Sequence, residues 1–234
     1  MKKSFFALLT AVAVIFIAAM GLCVRALQNS SVAASVEKGL CVVVDAGHGG
    51  IDGGVVGRRT GVKESDVNLQ IAYALHAELK DMGFEVVLTR KTQAGLYGTT
   101  AKGFKRRDMQ RRREIIQSAR PDFILSLHQN FYPLSSTRGA QVFYAPDNAQ
   151  GKRFAMITQE KLNALYGAEG VKDRKATAGD FFMLECWDCP SVLIECGFLS
   201  NAEDERLLCM EIWQRKLAKA LASGVVECLS GDLA

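Results

Sequence analysis

The chain has 234 residues, of which 49% are hydrophobic and 23% charged, a balance that excludes disordered and fibrous classes and suits one domain with a sizeable core. Its net charge of +4 allows contact with an anionic surface such as a cell wall or lipid headgroups. Without a nucleic-acid-binding motif, so small a charge does not argue for nucleic acid, and none is expected as a partner.

The N-terminus comes first in the chain and reads as an export element. After Lys2 and Lys3, residues 5–24 carry no charge and only Thr10 as a clearly polar side chain, which matches the ~20 residues that a bilayer core requires. Lysines ahead of the span favour an inside N-terminus and an outside domain. Two readings stay open: an uncleaved anchor, or a signal peptide cut after Ala26 with Val24 and Ala26 as the small-residue site. Residues 28–38, QNSSVAASVEK, are small and polar and form a tether. The expected organisation is therefore 1–27 anchor or signal peptide, 28–38 tether and 39–234 catalytic domain, lying extracytoplasmically.

Beyond the tether, short apolar or β-branched runs at 41–45, 85–89, 123–127, 140–144 and 192–195 predict strands. Helices are predicted over 65–82, 105–118, 150–165 and as a pair within 202–229. Strands separated by helices at this spacing imply a single three-layer α/β domain, with a mostly parallel twisted sheet flanked by helices, in addition to the N-terminal apolar helix. Asn201 is placed to cap the helix that follows it, with Asp204 at the third helical position. Asp66 and Asn68 sit near the start of the first helix, just after Glu64. In open α/β sheets the reactive crevice lies where strand ends feed such loops.

Four scattered residues gather there. His48 follows the first strand in VVVDAGHGG, where the glycines let the backbone turn sharply and approach a ligand. Asp45, three residues earlier, is positioned to accept a hydrogen bond from a ring N–H of this or a neighbouring histidine; the alternative is a strand-end carboxylate held by turn amides. His128 follows the strand FILSL, so two of the chain's three histidines lie just beyond strand ends. His76 differs: it flanks the apolar stripe of Ala72, Leu75, Leu79 and Met82 and is expected to carry no chemistry. Glu195 ends the apolar strand of PSVLIECGFLSN, a costly place for a carboxylate unless it is catalytic or paired, with backbone amides or Arg90 as the pairing alternatives. Glu64 is unremarkable by itself, since an acidic residue ahead of a helix is usually a favourable dipole contact. Two imidazoles and a carboxylate would nonetheless make a catalytic zinc set, with a second carboxylate as base.

Taken in order, DAGHGG, KESDVNL, Thr89–Arg90, SLHQN and PSVLIECGFLSN resemble the N-acetylmuramoyl-L-alanine amidases of the amidase 3 family, over essentially all of residues 40–229. The resemblance implies Zn2+ held at the positions of His48, Glu64 and His128, with Glu195 as the catalytic carboxylate. It implies peptidoglycan as substrate, cut at the amide between the muramic acid lactyl group and L-alanine. A short chain with one apolar N-terminal segment, no wall-binding repeats, and KRRDMQRRREII, SLHQNFYP and TRGAQVFYAP in its middle is further similar to the spore-cortex, germination-specific amidases of that family, which prepare muramic acid for conversion to muramic lactam. Cys196, directly after Glu195, departs from the family pattern.

The expected chemistry uses Glu195 to take a proton from the attacking water and return one to the leaving amine. Asn130 and the backbone amides around Gly49 and Gly50 are candidates for orienting substrate, with Asp45 and Arg90 as supporting residues. No GxSxG is present and no cysteine has a histidine partner in view, which disfavours a covalent nucleophile. Cys186 and Cys189 form a CxxC that reads as a redox pair, half of a structural metal site, or coincidence; the other cysteines read as small buried hydrophobes. The basic run 105–113 is expected to be a solvated helix face with one or two arginines turned toward the cleft. Candidate partners besides peptidoglycan are the membrane, through the N-terminal segment, and an activator protein. The competing functions are a zinc peptidoglycan peptidase and a non-catalytic, membrane-anchored wall-binding protein.

Overall fold

A computed structural model describes residues 39–231. The expected apolar helix and tether lie outside the described residues. Among those residues, no helix is long and apolar enough to cross a membrane.

The elements follow as β1 (Cys41–Ala46), α1 (Glu64–Asp81), β2 (Glu85–Leu88), α2 (Phe104–Ala119), β3 (Phe123–Asn130), β4 (Gln141–Tyr144), α3 (Ala149–Gly167), β5 (Thr177–Ala178), a single 3-10 turn (Phe182–Glu185), β6 (Ser191–Phe198), α4 (Ala202–Leu208) and α5 (Glu211–Ser230). They build one six-stranded sheet in the order β2-β1-β3-β6-β4-β5. β2, β1, β3 and β6 run parallel, β4 is antiparallel to β6, and β5 is parallel to β4. The reversal at β4 has a local cause. Only ten residues, 131–140, link β3 to β4, and a parallel return needs a crossover of a dozen or more, usually through a helix.

Helices α1, α3 and α5 pack together over one face of the sheet, and α2 with the 3-10 turn covers the other. Every residue of β1 is buried, as expected of a parallel strand covered on both sides. Side chains alternate between the layers: Val43 and Ile124 meet Ile116 of α2, together with Met183, Cys186 and Cys189. Asp45, Ser126 and His128 continue those same rows toward the carboxyl end of the sheet. On the opposite face, α1 buries Val67, Ile71, Leu75 and Leu79 at helical spacing, and α5 buries Trp213, Leu217, Leu221 and Val225. His76 is half-buried on the flank of α1, away from the site.

Two expectations are refined by the packing. Cys186 and Cys189 are free thiols, buried in the α2-side core, while Cys209 is exposed. Within the basic run, Asp108, Arg112 and Ile116 form the buried stripe of α2, so Arg112 turns fully inward while its neighbours remain more exposed.

Candidate metal centre and active site

The site is assembled at the carboxyl ends of β1, β3 and β6 and at the first turn of α1. β1 ends at Ala46, and the chain then turns through Gly47–Gly50. Gly47 is sterically required, because a Cβ there would lie 2.3 Å from the His128 ring. His48 adopts φ 62°, a left-handed conformation uncommon for a side chain that bears a Cβ. This twist turns the imidazole toward Glu64. His48 Nε2 lies 3.2 Å from Glu64 Oε1, and His128 Nδ1 lies 3.0 Å from the same oxygen. The two rings stand edge to face with centroids 5.0 Å apart.

Glu64 is almost fully buried and held from all sides. Its Oε1 also accepts from the Gln129 backbone N–H at 3.0 Å and from Asn68 Nδ2 at 3.4 Å, and its Oε2 accepts from the Val55 N–H at 2.9 Å. Burial raises its pKa, but the two imidazoles more than offset this and hold the carboxyl well below the usual carboxylate range. The potential ligand atoms of His48, Glu64 and His128 all fall within 4.8 Å of one another. Zinc bonds of roughly 2.0–2.2 Å in a tetrahedral arrangement place neighbouring ligand atoms about 3.2–3.6 Å apart, and the two imidazole–carboxylate distances of 3.2 and 3.0 Å are close to that spacing.

Glu195 arrives by register. β3 and β6 are parallel neighbours in which His128 pairs with Glu195, so both side chains leave the same face side by side. Its Oε2 is buried without a hydrogen-bond partner, and neither backbone amides nor Arg90 neutralise that atom. Burial, opposed by His128 and His48 and reinforced by Glu64, pushes the carboxyl pKa up to about 7. A carboxyl that changes protonation near neutrality is suited to move protons in both directions.

A family model for N-acetylmuramoyl-L-alanine amidases, amidase 3, matches residues 42–227. The chain belongs to the amidase 3 family. The germination-specific N-acetylmuramoyl-L-alanine amidase of Bacillus subtilis is 30% identical over 191 residues, covering 80% of this chain and 79% of that one. Among solved structures, the CwlD amidase of Clostridioides difficile, determined in complex with the GerS lipoprotein, superimposes with a TM-score of 0.78 at 34% identity, covering 82% of this chain and all of that one. The catalytic domain of CwlV from Paenibacillus polymyxa matches with a TM-score of 0.68 at 30% identity, covering 81% of this chain and 98% of that domain. The activity of this amidase 3 chain is accordingly that of an N-acetylmuramoyl-L-alanine amidase acting on peptidoglycan.

Around the centre, several supporting residues sit elsewhere than the sequence suggests. Asp45 does not receive an imidazole N–H. Its carboxylate accepts from Thr89 Oγ1 at 2.6 Å, Ser126 Oγ at 2.7 Å and Arg112 Nη1 at 2.6 Å, because the β1–β3 register sets it opposite Ser126, two residues before His128. The partner of His48 Nδ1 is Asp52, at 3.1 Å, whose other oxygen lies 3.4 Å from Lys105 Nζ. Burial lowers the His48 pKa, but Glu64 and Asp52 together raise it above its ordinary value. Asp52 was hidden in the sequence by its glycine-rich context, and its one signal is its place four residues after His48. Arg90 is buried behind the loop, donating to the carbonyls of Ala46, Gly47, Ser65 and Thr92. The amides of Gly49 and Gly50 are already bonded, to the carbonyls of Asp52 and Gln93, so they are not free to orient substrate. Asn130 accepts from the Phe131 N–H through its side-chain oxygen at 2.7 Å. Beside the two imidazoles opens a cavity of about 230 Å³, lined by Tyr97, Phe104 and Met109 and by charged side chains that include Asp52, Lys105 and Asp108.

Proposed function

We propose that this amidase is zinc-dependent, with His48, Glu64 and His128 as ligands and Glu195 as the proton-transfer residue, and that it acts outside the membrane on spore-cortex peptidoglycan. The observation that carries the reading is one carboxylate oxygen, Glu64 Oε1, within 3.2 Å of both imidazoles while the unpartnered Glu195 Oε2 emerges from the adjacent strand. Two neutral nitrogens and a carboxylate are the donor set of a catalytic zinc, which leaves a fourth position open.

Zinc bound there supplies Lewis-acid activation of water and polarisation of the scissile carbonyl. Glu195, in its carboxylate form, removes a proton from the attacking water. As a carboxylic acid it then delivers that proton to the L-alanine nitrogen as the amide C–N bond breaks. Asp52 accepts from His48 Nδ1–H and so fixes the tautomer that leaves Nε2 free to ligate. The apolar wall of Tyr97, Phe104 and Met109 excludes water from one side of the reacting amide. Asn130, two residues beyond His128, is retained as a group that orients substrate.

The cortex assignment rests on similarity to the germination-specific relative and to CwlD. The GerS complex of the latter supports an activator partner for this chain as well. Residues 1–27 serve as anchor or signal peptide and 28–38 as tether, which delivers the catalytic domain to the wall side. Metal analysis of residues 28–234, combined with digestion of cortex-type peptidoglycan and mass spectrometry, tests the proposal. Bound zinc and muramic acid released from L-alanine are the expected results. A metal-free, inactive protein, or peptides released with the lactyl amide intact, would overturn it.

A further inference from the structure

His48 holds a left-handed backbone conformation at φ 62°, and such conformations persist in a side-chain-bearing residue only when their surroundings over-determine them. The carbonyl groups of three successive residues are gripped by two buried arginines. Arg90 takes Ala46 O at 3.0 Å and Gly47 O at 3.2 Å. Arg112 takes Ala46 O at 2.7 Å through Nη1 and His48 O at 2.5 Å through Nη2. Only Arg112 reaches the histidine itself.

The remaining arms of that guanidinium are fixed in turn. Nη1 also meets Asp45 Oδ1 at 2.6 Å, and Nε meets Asp108 Oδ2 at 2.7 Å. Asp108 is anchored by the Leu96 N–H on its other oxygen at 2.5 Å. At 1% exposure, Arg112 has no water to substitute for any of these contacts. A planar fork can address two carbonyls and two carboxylates at once, and a lysine ammonium cannot reproduce that geometry.

We propose that Arg112 is a positioning residue that sets metal affinity: by holding the His48 carbonyl it maintains the twist that aims Nε2 at Glu64 and the metal. The inference rests on the proposed ligand set. Its role differs from that of Asp52, which acts on the ring through Nδ1; Arg112 acts on the backbone beneath it.

The test measures zinc affinity of the folded full-length protein by competition with a chromogenic chelator, alongside thermal melting. Arg112→Lys is expected to weaken zinc binding by roughly 10–100-fold, the range seen when groups that orient metal ligands are removed. Activity lost at limiting zinc should return when zinc is saturating. Val225→Ala, in the core of α5 on the opposite face, serves as a control for general destabilisation and should leave zinc affinity within about twofold of wild type. If Arg112→Lys does not fold, Asp108→Asn, which loosens the guanidinium while keeping Asp45, should weaken zinc binding by about three- to tenfold. Wild-type affinity in Arg112→Lys, or in Asp108→Asn where the lysine variant does not fold, overturns the inference. So does an equal loss in Val225→Ala. A wild-type protein that binds no zinc overturns the ligand set itself, an outcome distinct from the others.

Discussion

The two halves of the site are positioned by different physics. His128 and Glu195 stand on adjacent parallel strands, where the ladder fixes both their spacing and the face they share. His48 and Glu64 lie on a glycine-rich turn and at a helix start, where no ladder reaches. There the geometry is held by side chains drawn from far along the chain: Arg90, Arg112, Asp52 and Asn68. The strand half inherits its precision from the fold, and the loop half needs a dedicated set of buried polar contacts. Substitutions should therefore separate chemistry, stability and metal affinity along that line.

The largest effect is expected from the strand half. Glu195→Gln removes the proposed proton carrier without touching a proposed ligand, so kcat for lactyl-amide hydrolysis should fall by about 10²–10⁴ while zinc remains bound. Turnover assays with metal analysis check this. Undiminished hydrolysis would show that this carboxylate moves no protons.

Next comes the buried ion network under the loop half. Burial pushes the Asp45 pKa up, but Arg112, Thr89 and Ser126 more than reverse this and hold it below the ordinary carboxylate value. Asp45→Ala leaves Arg112 with one carboxylate in a water-free setting, and losing one partner of such a pair costs about 3–5 kcal/mol. Denaturant melts should show this loss. A small change would mean that the loop is held by Arg90 alone.

The pH dependence of the metal-free protein sharpens the contrast. Glu195 has its folded pKa raised to about 7 from 4.5, so the folded state favours the protonated acid. Its relative contribution to stability is fully present below about 4.5 and is lost as pH rises toward and through 7, with an order of magnitude of 3 kcal/mol. Glu195→Gln should abolish that slope and make the metal-free protein more stable than wild type at pH 8. Identical pH profiles of unfolding in the two proteins would contradict the burial of an uncompensated carboxylate.

The order of strands and helices was legible in the sequence because buried parallel strands read as unbroken apolar runs and α1 carries its stripe at helical period. His48, His128 and Glu195 were legible as candidates because each follows such a run, although β3 continues past His128 to Asn130 and β6 past Glu195 to Phe198. Glu64 was not: its ligand-like placement depends on Val55, Asn68 and Gln129 folding around it, contacts that no local pattern encodes. Asp45 was open between an imidazole partner and a strand-end carboxylate held by turn amides, and it is neither, because a strand residue three positions before His48 points beneath the turn, to the side chains of Thr89, Ser126 and Arg112. The actual partner, Asp52, returns to the ring only after the chain has doubled back through Gly49 and Gly50. Asp52→Ala should accordingly weaken zinc binding by roughly 10–100-fold, read by chelator competition, with little change in melting temperature. Unchanged affinity would indicate that Glu64 alone orients the His48 ring.

The smallest expected effect is the most direct comparison of all, because it concerns neighbours in one basic run. Arg111 and Arg112 are adjacent on α2, have the same charge and each pair with a carboxylate at 2.8 Å or less. Arg111 pairs with Glu114 at the surface, with its side chain 58% exposed, whereas that of Arg112 is 2% exposed. Water competes for the first pair, salt screens it, and fixing two long side chains offsets much of the attraction, so Arg111→Ala should change unfolding free energy by only about 0.2–0.5 kcal/mol and leave zinc affinity unaltered. Repeating the denaturant melt in high salt should erase even that difference. A loss as large as that of Asp45→Ala would mean that the run acts as one charged unit, and that burial is not what distinguishes its members.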